Sequence, residues 1–367
     1  MLRDAEGIPS TLPFINNAEE LSRFIDVDRR LKEEIEQASQ HYPFRIPGFY
    51  LDLIEKDSPF CPLRRQAIPS VEELADKGKI DPLNEKEVSV TPSFIKRYPN
   101  RGVFLATSQC AMYCRFCNRR RFVGKRWDPK LFWEETFEYL EKDSKINEVI
   151  VSGGDPFMLL PDELDYLLSR LRSIRRIKVI RISTRIPVVY PEGLKLGHLT
   201  VLGKNSPIWI IIHINHPKEV SPEFIEAVKK LRKMENIIIS QTVLLRQVND
   251  CPYILLKLFE KLIHCGIKPY YLFQLDEVRG AMHFKVRLEK GMEIMKILRR
   301  NASGLAVPKY VLDIPGGFGK VPVDYVYVKG KDGNKVYVEN LSGHVNTYLD
   351  NGKKSKCLKC GLCDSNT

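Results

Sequence analysis

The 367 residues contain no apolar run that could cross a bilayer, since the strongly apolar stretch Ile208-Trp-Ile-Ile-Ile212 falls far short of the roughly 20 residues needed. The start, Met1-Leu-Arg-Asp-Ala-Glu-Gly7, lacks the apolar core of a secretory signal, so a cytoplasmic setting is expected. The sequence shows no internal repeat and no low-complexity tract. The net charge is +12, yet the basic residues are scattered and no RNA-binding signature accompanies them. Anionic ligands or a lysine-rich surface account for that charge better than nucleic acid does.

Hydrophobic residues make up 43% and charged residues 28%, as in a soluble globular protein with a large core or two modest ones. Nine cysteines, at 61, 110, 114, 117, 251, 265, 357, 360 and 363, are an odd number in an intracellular setting, so disulfides are not expected. Six of them fall into two tight clusters. The first, Cys110-Ala-Met-Tyr-Cys114-Arg-Phe-Cys117, follows Gly102-Val-Phe-Leu-Ala-Thr107, which reads as a short buried strand. Three thiolates make a poor closed zinc site, which usually takes four protein ligands. They suit a [4Fe–4S] cluster whose fourth iron stays open to an outside ligand. The plainer alternatives are buried or incidental cysteines, or part of a zinc site completed elsewhere.

Residues 1–101 read as a helical and irregular N-terminal arm. Leu21, Phe24, Leu31 and Ile35 lie at helical spacing within Ala18–Gln37, and a proline-rich stretch runs from Pro43 to Pro92. Residues 102–320 alternate strand and helix. Strands are expected at 103–106, 148–152, 178–183, 208–214, 237–242, 270–274 and 310–313. Helices are expected at 129–142, 162–174, 222–234, 253–264 and 290–299. Alternation on this scale predicts an α/β fold, a partial or near-closed parallel (β/α) barrel with chemistry at the strands' C-terminal ends. Residues 321–367 change to a period of two, Val323–Val328 and Val336–Val338 around a Lys331-Asp-Gly-Asn-Lys335 turn, before a cysteine-rich tail.

Ser152-Gly-Gly-Asp-Pro156 ends the second expected strand in two glycines and a carboxylate. Glycine lets a ligand approach the backbone, and a carboxylate can hold an amine, although a tight strand-to-helix turn would use the same residues. Pro315-Gly-Gly-Phe-Gly-Lys320 follows the last strand. It fails as a phosphate loop, because Ile314 stands where the first glycine belongs and Val321 replaces Ser/Thr. A lysine held by a glycine-rich loop can instead form a Schiff base with a carbonyl cofactor, or can simply be a surface lysine in a turn.

Taken in order, these motifs resemble the radical S-adenosylmethionine enzymes, and more narrowly the lysine 2,3-aminomutase family. The resemblance runs from about Pro43 to Cys363. It includes Arg64-Arg-Gln-Ala-Ile-Pro69, Arg97-Tyr-Pro-Asn-Arg101, the cysteine run with Arg119-Arg-Arg121, Asn215-His-Pro217, Ser240 to Cys251, and Lys268-Pro-Tyr-Tyr271.

It implies an isomerase with a [4Fe–4S] cluster on Cys110, Cys114 and Cys117 and S-adenosylmethionine at Gly153, Gly154, Asp155 and Arg185. Many members carry Glu where this chain has Asp155. Pyridoxal 5′-phosphate would be carried by Lys320 and contacted by Arg97, Arg101 and Gln241. Asp276 and Asp313 would hold the ε-ammonium of L-lysine, a task that suits two carboxylates in a desolvated pocket, and Arg119 its α-carboxylate. Capping of turns by the two acids, and a solvated basic stretch for Arg119, are the plainer readings. Cys357, Cys360 and Cys363 would join a neighbouring subunit's Cys251 position in a structural zinc site, with a second iron–sulfur cluster as rival. Cys61 and Cys265 are expected to be ordinary buried thiols.

The implied activity is conversion of L-lysine to β-lysine, with an electron donor such as a flavodoxin or ferredoxin and a homo-oligomer held by the tail. Alternatives are a β-lysine-forming mutase serving elongation factor P, a glutamate 2,3-aminomutase, and a non-catalytic iron–sulfur and zinc scaffold. The Lys320 loop speaks against the scaffold.

Overall fold

A computed structural model describes residues 14–350 apart from Asp57, Asp76 and Tyr325. The chain divides into two compact units, the second beginning at Tyr325. In the first, seven parallel strands run in sequence order: β1 (Arg101–Thr107), β2 (Glu148–Gly153), β3 (Val179–Thr184), β4 (Trp209–His213), β5 (Ile237–Leu244), β6 (Lys268–Gln274) and β7 (Lys309–Asp313). They are the seven expected strands, each within two residues at either end. The pairing of β1 with β2 spans Arg101 to Thr107.

Among the described residues, six helices of nine or more residues fill the connections: α1 (Trp133–Lys142), α2 (Pro161–Ser173), α3 (Leu196–Lys204), α4 (Pro222–Lys233), α5 (Pro252–His264) and α6 (Leu288–Asn301). Their apolar residues recur at i, i+3, i+4 and i+7, as in Leu164, Leu167, Leu168 and Leu171 on α2, all fully buried. Each such leucine contributes about 2 kcal/mol through burial. On α4, Ser221 caps the Phe224 amide at 3.1 Å and Pro222 opens the first turn, so the start is locally encoded. The helix α3 has no counterpart in the sequence expectation, because its apolar residues are not confined to one stripe. The expected helix over 129–142 opens as a tight 3₁₀ turn at Pro129–Phe132.

The strands alternate faces. Ile180 and Ile182, like Ile210 and Ile212, are fully buried beneath the helices, while Arg181, Ser183, Trp209 and His213 line an interior cavity of about 1020 Å³. The barrel does not close. Antiparallel strands extend both ends of the sheet, Phe94–Tyr98 and Ser89–Thr91 beside β1 and Lys320–Pro322 beside β7. Across the gap, the Lys320 amide donates to Tyr98 Oη at 2.8 Å and the Gly316 amide to the Pro82 carbonyl at 2.9 Å.

The arm is part of this unit. Its expected long helix is two, Ala18–Ser22 and Arg29–His41, because Asn17 and Asp28 each cap a separate start. In the second unit, Val328–Asp332, Lys335–Glu339 and Val345–Leu349 form an antiparallel sheet, one strand more than the expected hairpin. The first of these begins where the expected strand 323–328 was to end. No helix among the described residues is long and apolar enough to cross a membrane.

Candidate active site

The cysteine run leaves β1 and crosses the C-terminal mouth of the barrel. Cys114 and Cys117 line the cavity, and Cys110 lies beside Asp155. Burial pushes the Cys110 thiol well up and Cys117 to about 11, and repulsion among the three sulfurs adds to it. At Cys110 and Cys117 the thiolate form therefore calls for nearby positive charge, such as that of bound iron. Among the described residues no group of three ligands is drawn together for a single ion. Cluster cysteines each meet a different iron, so this spacing is compatible with a cluster.

The turn after β2 is pressed onto the start of that run. Gly153 adopts φ +110°, and a Cβ on Gly154 would collide with the Gln109 carbonyl. The Gly154 amide donates to the Thr107 carbonyl at 2.6 Å and the Asp155 amide to the Gln109 carbonyl at 2.8 Å. The expected amine-holding carboxylate is otherwise engaged: Asp155 accepts from Arg185 N at 2.6 Å, Thr184 Oγ1 at 2.8 Å, Phe157 N at 3.1 Å and Ile186 N at 3.1 Å. The shorter acid fastens the ends of β2 and β3 together.

Arg185 lies against the cysteines. Nη1 donates to Cys114 Sγ at 2.8 Å, and Nη2 to Gln66 Oε1 at 2.8 Å and Glu219 Oε1 at 2.7 Å. Tyr50 Oη donates to the same Glu219 oxygen, and Asn215 Nδ2 to Gln66 Oε1. Arg185, Gln66, Glu219, Tyr50 and Asn215 are all buried, so the cluster loop rests on a hydrogen-bonded polar network. Arg115, beneath the loop, is gripped by Glu73 at 2.6 and 2.8 Å and by the carbonyls of Tyr42 and Pro43.

Arg119 points into the cavity, its fork on Glu85 at 2.7 and 3.3 Å and on Ser152 Oγ at 3.1 Å. Burial alone would raise the Glu85 pKa, but Arg119 and Arg121 overrule it and hold it at about 2. Asp276 and Asp313 line the same mouth. Burial, and next the charge of Asp313, pushes Asp276 up to about 7, although Asn118 Nδ2 donates to it at 2.8 Å. Lys320 lies opposite Asp313 in the edge ladder, with Nζ 3.6 Å from Asp313 Oδ2 and 4.2 Å above the Phe273 ring. Burial lowers the Lys320 pKa, against the opposing pull of the two acids.

Arg97, Arg101 and Gln241 also line the cavity. Arg97 donates to the Leu83 carbonyl at 2.6 Å, and Arg101 stacks on Tyr98 at 3.8 Å. Sequence reasoning missed Arg181, which pairs with Glu148 near Arg101 and the tyrosines of β6. The Nε atoms of Arg97 and Arg181 are buried without an acceptor. Unmatched cationic donors facing the barrel cavity fit an anionic group such as a cofactor phosphate. Glu85, Asn118 and Glu219 were missed too. Only Gln66 and Asn215 fell inside motifs already singled out.

Cys251 is the residue before α5, half-exposed, and Cys357, Cys360 and Cys363 lie outside the described residues. Cys61 is fully buried, as expected; Cys265 is only partly so, at the C-terminal end of α5.

Two family models match the sequence, the radical SAM superfamily over residues 104–259 and lysine-2,3-aminomutase over residues 295–362. An L-lysine 2,3-aminomutase of Methanococcus maripaludis is 38% identical over 95% of this chain and 83% of its own length. One from Clostridium subterminale is 36% identical over 95% and 85%. A glutamate 2,3-aminomutase of Clostridioides difficile is 33% identical over 90% and 79%. Such relatives imply a [4Fe–4S] cluster, S-adenosylmethionine and pyridoxal 5′-phosphate as cofactors and an isomerase acting on an amino acid. The chain belongs to the lysine 2,3-aminomutase family of radical S-adenosylmethionine enzymes.

Proposed function

We propose that this enzyme moves the α-amino group of L-lysine to the β-carbon, giving β-lysine. One observation carries the choice of lysine. At the barrel mouth, Asp276 and Asp313 line the same cavity as the Lys320 side chain, whose Nζ lies 3.6 Å from Asp313 Oδ2. The side chain of a substrate lysine ends in that same amino group, and the side-chain carboxylate of glutamate would be repelled there.

When bound, the cluster and S-adenosylmethionine supply a carbon-centred radical, and pyridoxal phosphate supplies a carbonyl that carries nitrogen and spreads unpaired spin. The protein positions the reactants. Lys320, on the edge strand opposite Asp313, is the nucleophile for the carbonyl group. Asp276 and Asp313 take the substrate ε-ammonium, and Arg119 its α-carboxylate with the guanidinium oriented by Glu85. Arg97 and Arg101, joined by Arg181, would hold the phosphate, with Gln241 against the cofactor from β5. Cys110, Cys114 and Cys117 would hold three irons. The Gly153–Gly154 backbone and Arg185, both packed on the cysteine run, would contact S-adenosylmethionine. Glu219 and Gln66 fix Arg185 from below.

The same reading includes a one-electron donor, a cytoplasmic setting and a homo-oligomer, with Cys251 and the tail trio Cys357, Cys360 and Cys363 around zinc. The decisive assay is anaerobic turnover of L-lysine against L-glutamate, with Asp276→Ala, Asp313→Ala and Lys320→Ala beside wild type. Lysine turnover undiminished in both aspartate variants would sink the two-acid pocket. Lys320→Ala should also lose the pyridoxal-imine absorbance band that wild type gains on cofactor addition.

A further inference from the structure

Behind the cysteine run lies a second depression, of about 310 Å³, that the proposed reaction does not use. Cys114 and Cys117 line it as well as the barrel cavity, so the loop is a thin wall between the two. Its other side chains include His41, Arg115, Arg120, Arg121, Lys125 and Arg279, and among the described residues no Asp or Glu lines it.

The nearby carboxylates are already engaged. Glu73 neutralises Arg115 and Arg120 from below, Asp81 and Glu85 face Arg121, and Glu277 pairs with Lys285. The rim that reaches solvent is cationic: Lys125 and Arg279 are exposed, Lys79 stands beside them, and the apolar Ile80 between is 57% exposed. Lys79 is fixed in place by two backbone bonds, Lys79 N to the Glu277 carbonyl at 2.7 Å and Arg279 N to the Lys79 carbonyl at 2.8 Å.

We infer that this face is where a small acidic protein carrying a one-electron centre docks to reduce the cluster. The inference rests on the proposed radical chemistry, which consumes an electron that this chain does not itself generate. One electron passes from the carrier, which is oxidised, to the cluster, which is reduced, and no bond or proton need move. A donor seated here reaches the sulfurs of Cys114 and Cys117 through the loop alone, without entering the substrate cavity. Cationic rims of this kind steer acidic partners and speed their association by about tenfold or more at low ionic strength.

The test uses the reconstituted, full-length enzyme and the charge-reversed variant Lys79→Glu/Lys125→Glu/Arg279→Glu, none of whose residues touches the reaction site. Cluster reduction is followed by absorbance and paramagnetic resonance, with flavodoxin hydroquinone as the protein donor and dithionite as the small one. The variant should accept electrons from flavodoxin at least about tenfold more slowly, and lose the salt dependence seen in wild type, while its dithionite rate stays within about twofold. An unchanged flavodoxin rate would overturn the proposal. So would an equal loss with both donors, since the substitutions would then act on the cluster itself. If wild type reduced by dithionite fails to cleave S-adenosylmethionine, the underlying reaction is at fault, a result distinct from either.

Discussion

Replacing Asp276 by asparagine should make the ligand-free protein more stable and the enzyme poor at using lysine. The carboxyl is raised from an ordinary 3.8 to about 7, roughly 3 units, by burial and by Asp313. At 1.36 kcal/mol per unit, ionising it in the folded state costs up to about 4 kcal/mol. The folded state holds this proton where the unfolded state has released it, so stability falls as pH rises from about 4 to 7 and the full cost is present above 7. Asparagine keeps the shape and an acceptor for Asn118 but has no proton to lose. Its advantage over wild type should therefore widen from about 2 kcal/mol at pH 5 to about 4 kcal/mol at pH 8. Urea unfolding of the cofactor-free protein at both values measures this directly. Losing one partner of a desolvated charge pair costs about 2–5 kcal/mol, so the KM for lysine should rise about thirtyfold or more. A stability gap that is the same at pH 5 and pH 8, or a variant weaker than wild type at pH 8, would refute the reasoning.

Gly154→Ala should displace the cysteine run, because the new methyl meets the Gln109 carbonyl; iron and sulfide analysis after reconstitution should find less than about half the wild-type cluster. Arg185→Gln removes a charge-assisted bond to Cys114 Sγ worth about 1.5–3 kcal/mol. Only the part of that energy gained on reduction moves the potential, so at about 59 mV per tenfold for one electron the cluster potential should become more negative by up to about 130 mV. A resonance-monitored redox titration reads that shift, and an unchanged potential would show that the bond does not persist in the loaded protein.

The barrel was legible because its signals are local. Short β-branched, aromatic or other apolar runs bounded by turn residues marked all seven strands, and stripes such as Leu164 to Leu171 marked most helices. The strands at Ser89–Thr91 and Phe94–Tyr98 went unread, being short, beside prolines and defined only by their partners. Helix Leu196–Lys204 was lost to a weak stripe. At the site, residues clustered in sequence stood out, as Cys110, Cys114, Cys117 and the glycine-rich loop from Pro315 to Lys320 did. Those defined by distant partners did not. Glu85 acts on Arg119 from 34 positions away, and Asn118 reaches Asp276 across 158. A lone acid or amide carries no signal until folding gives it a neighbour. Asp155 is the converse: its motif was plain, but its four donors come from its own turn and the end of β3.

The polar network under the cysteine run also sets what can be cut away. Gln66, Glu73 and Glu85 belong to the arm, yet they answer the buried guanidinium groups of Arg185, Arg115 and Arg119. A barrel begun at Gly102 would keep every cysteine of the run but take Glu73 from Arg115 and Glu85 from Arg119, and a fully buried cation such as Arg115 left without its carboxylate costs about 3–5 kcal/mol. The arm is thus the inner lining of the catalytic chamber rather than a covering. A fragment that keeps the carboxylate beneath Arg115 has to extend back at least to Glu73.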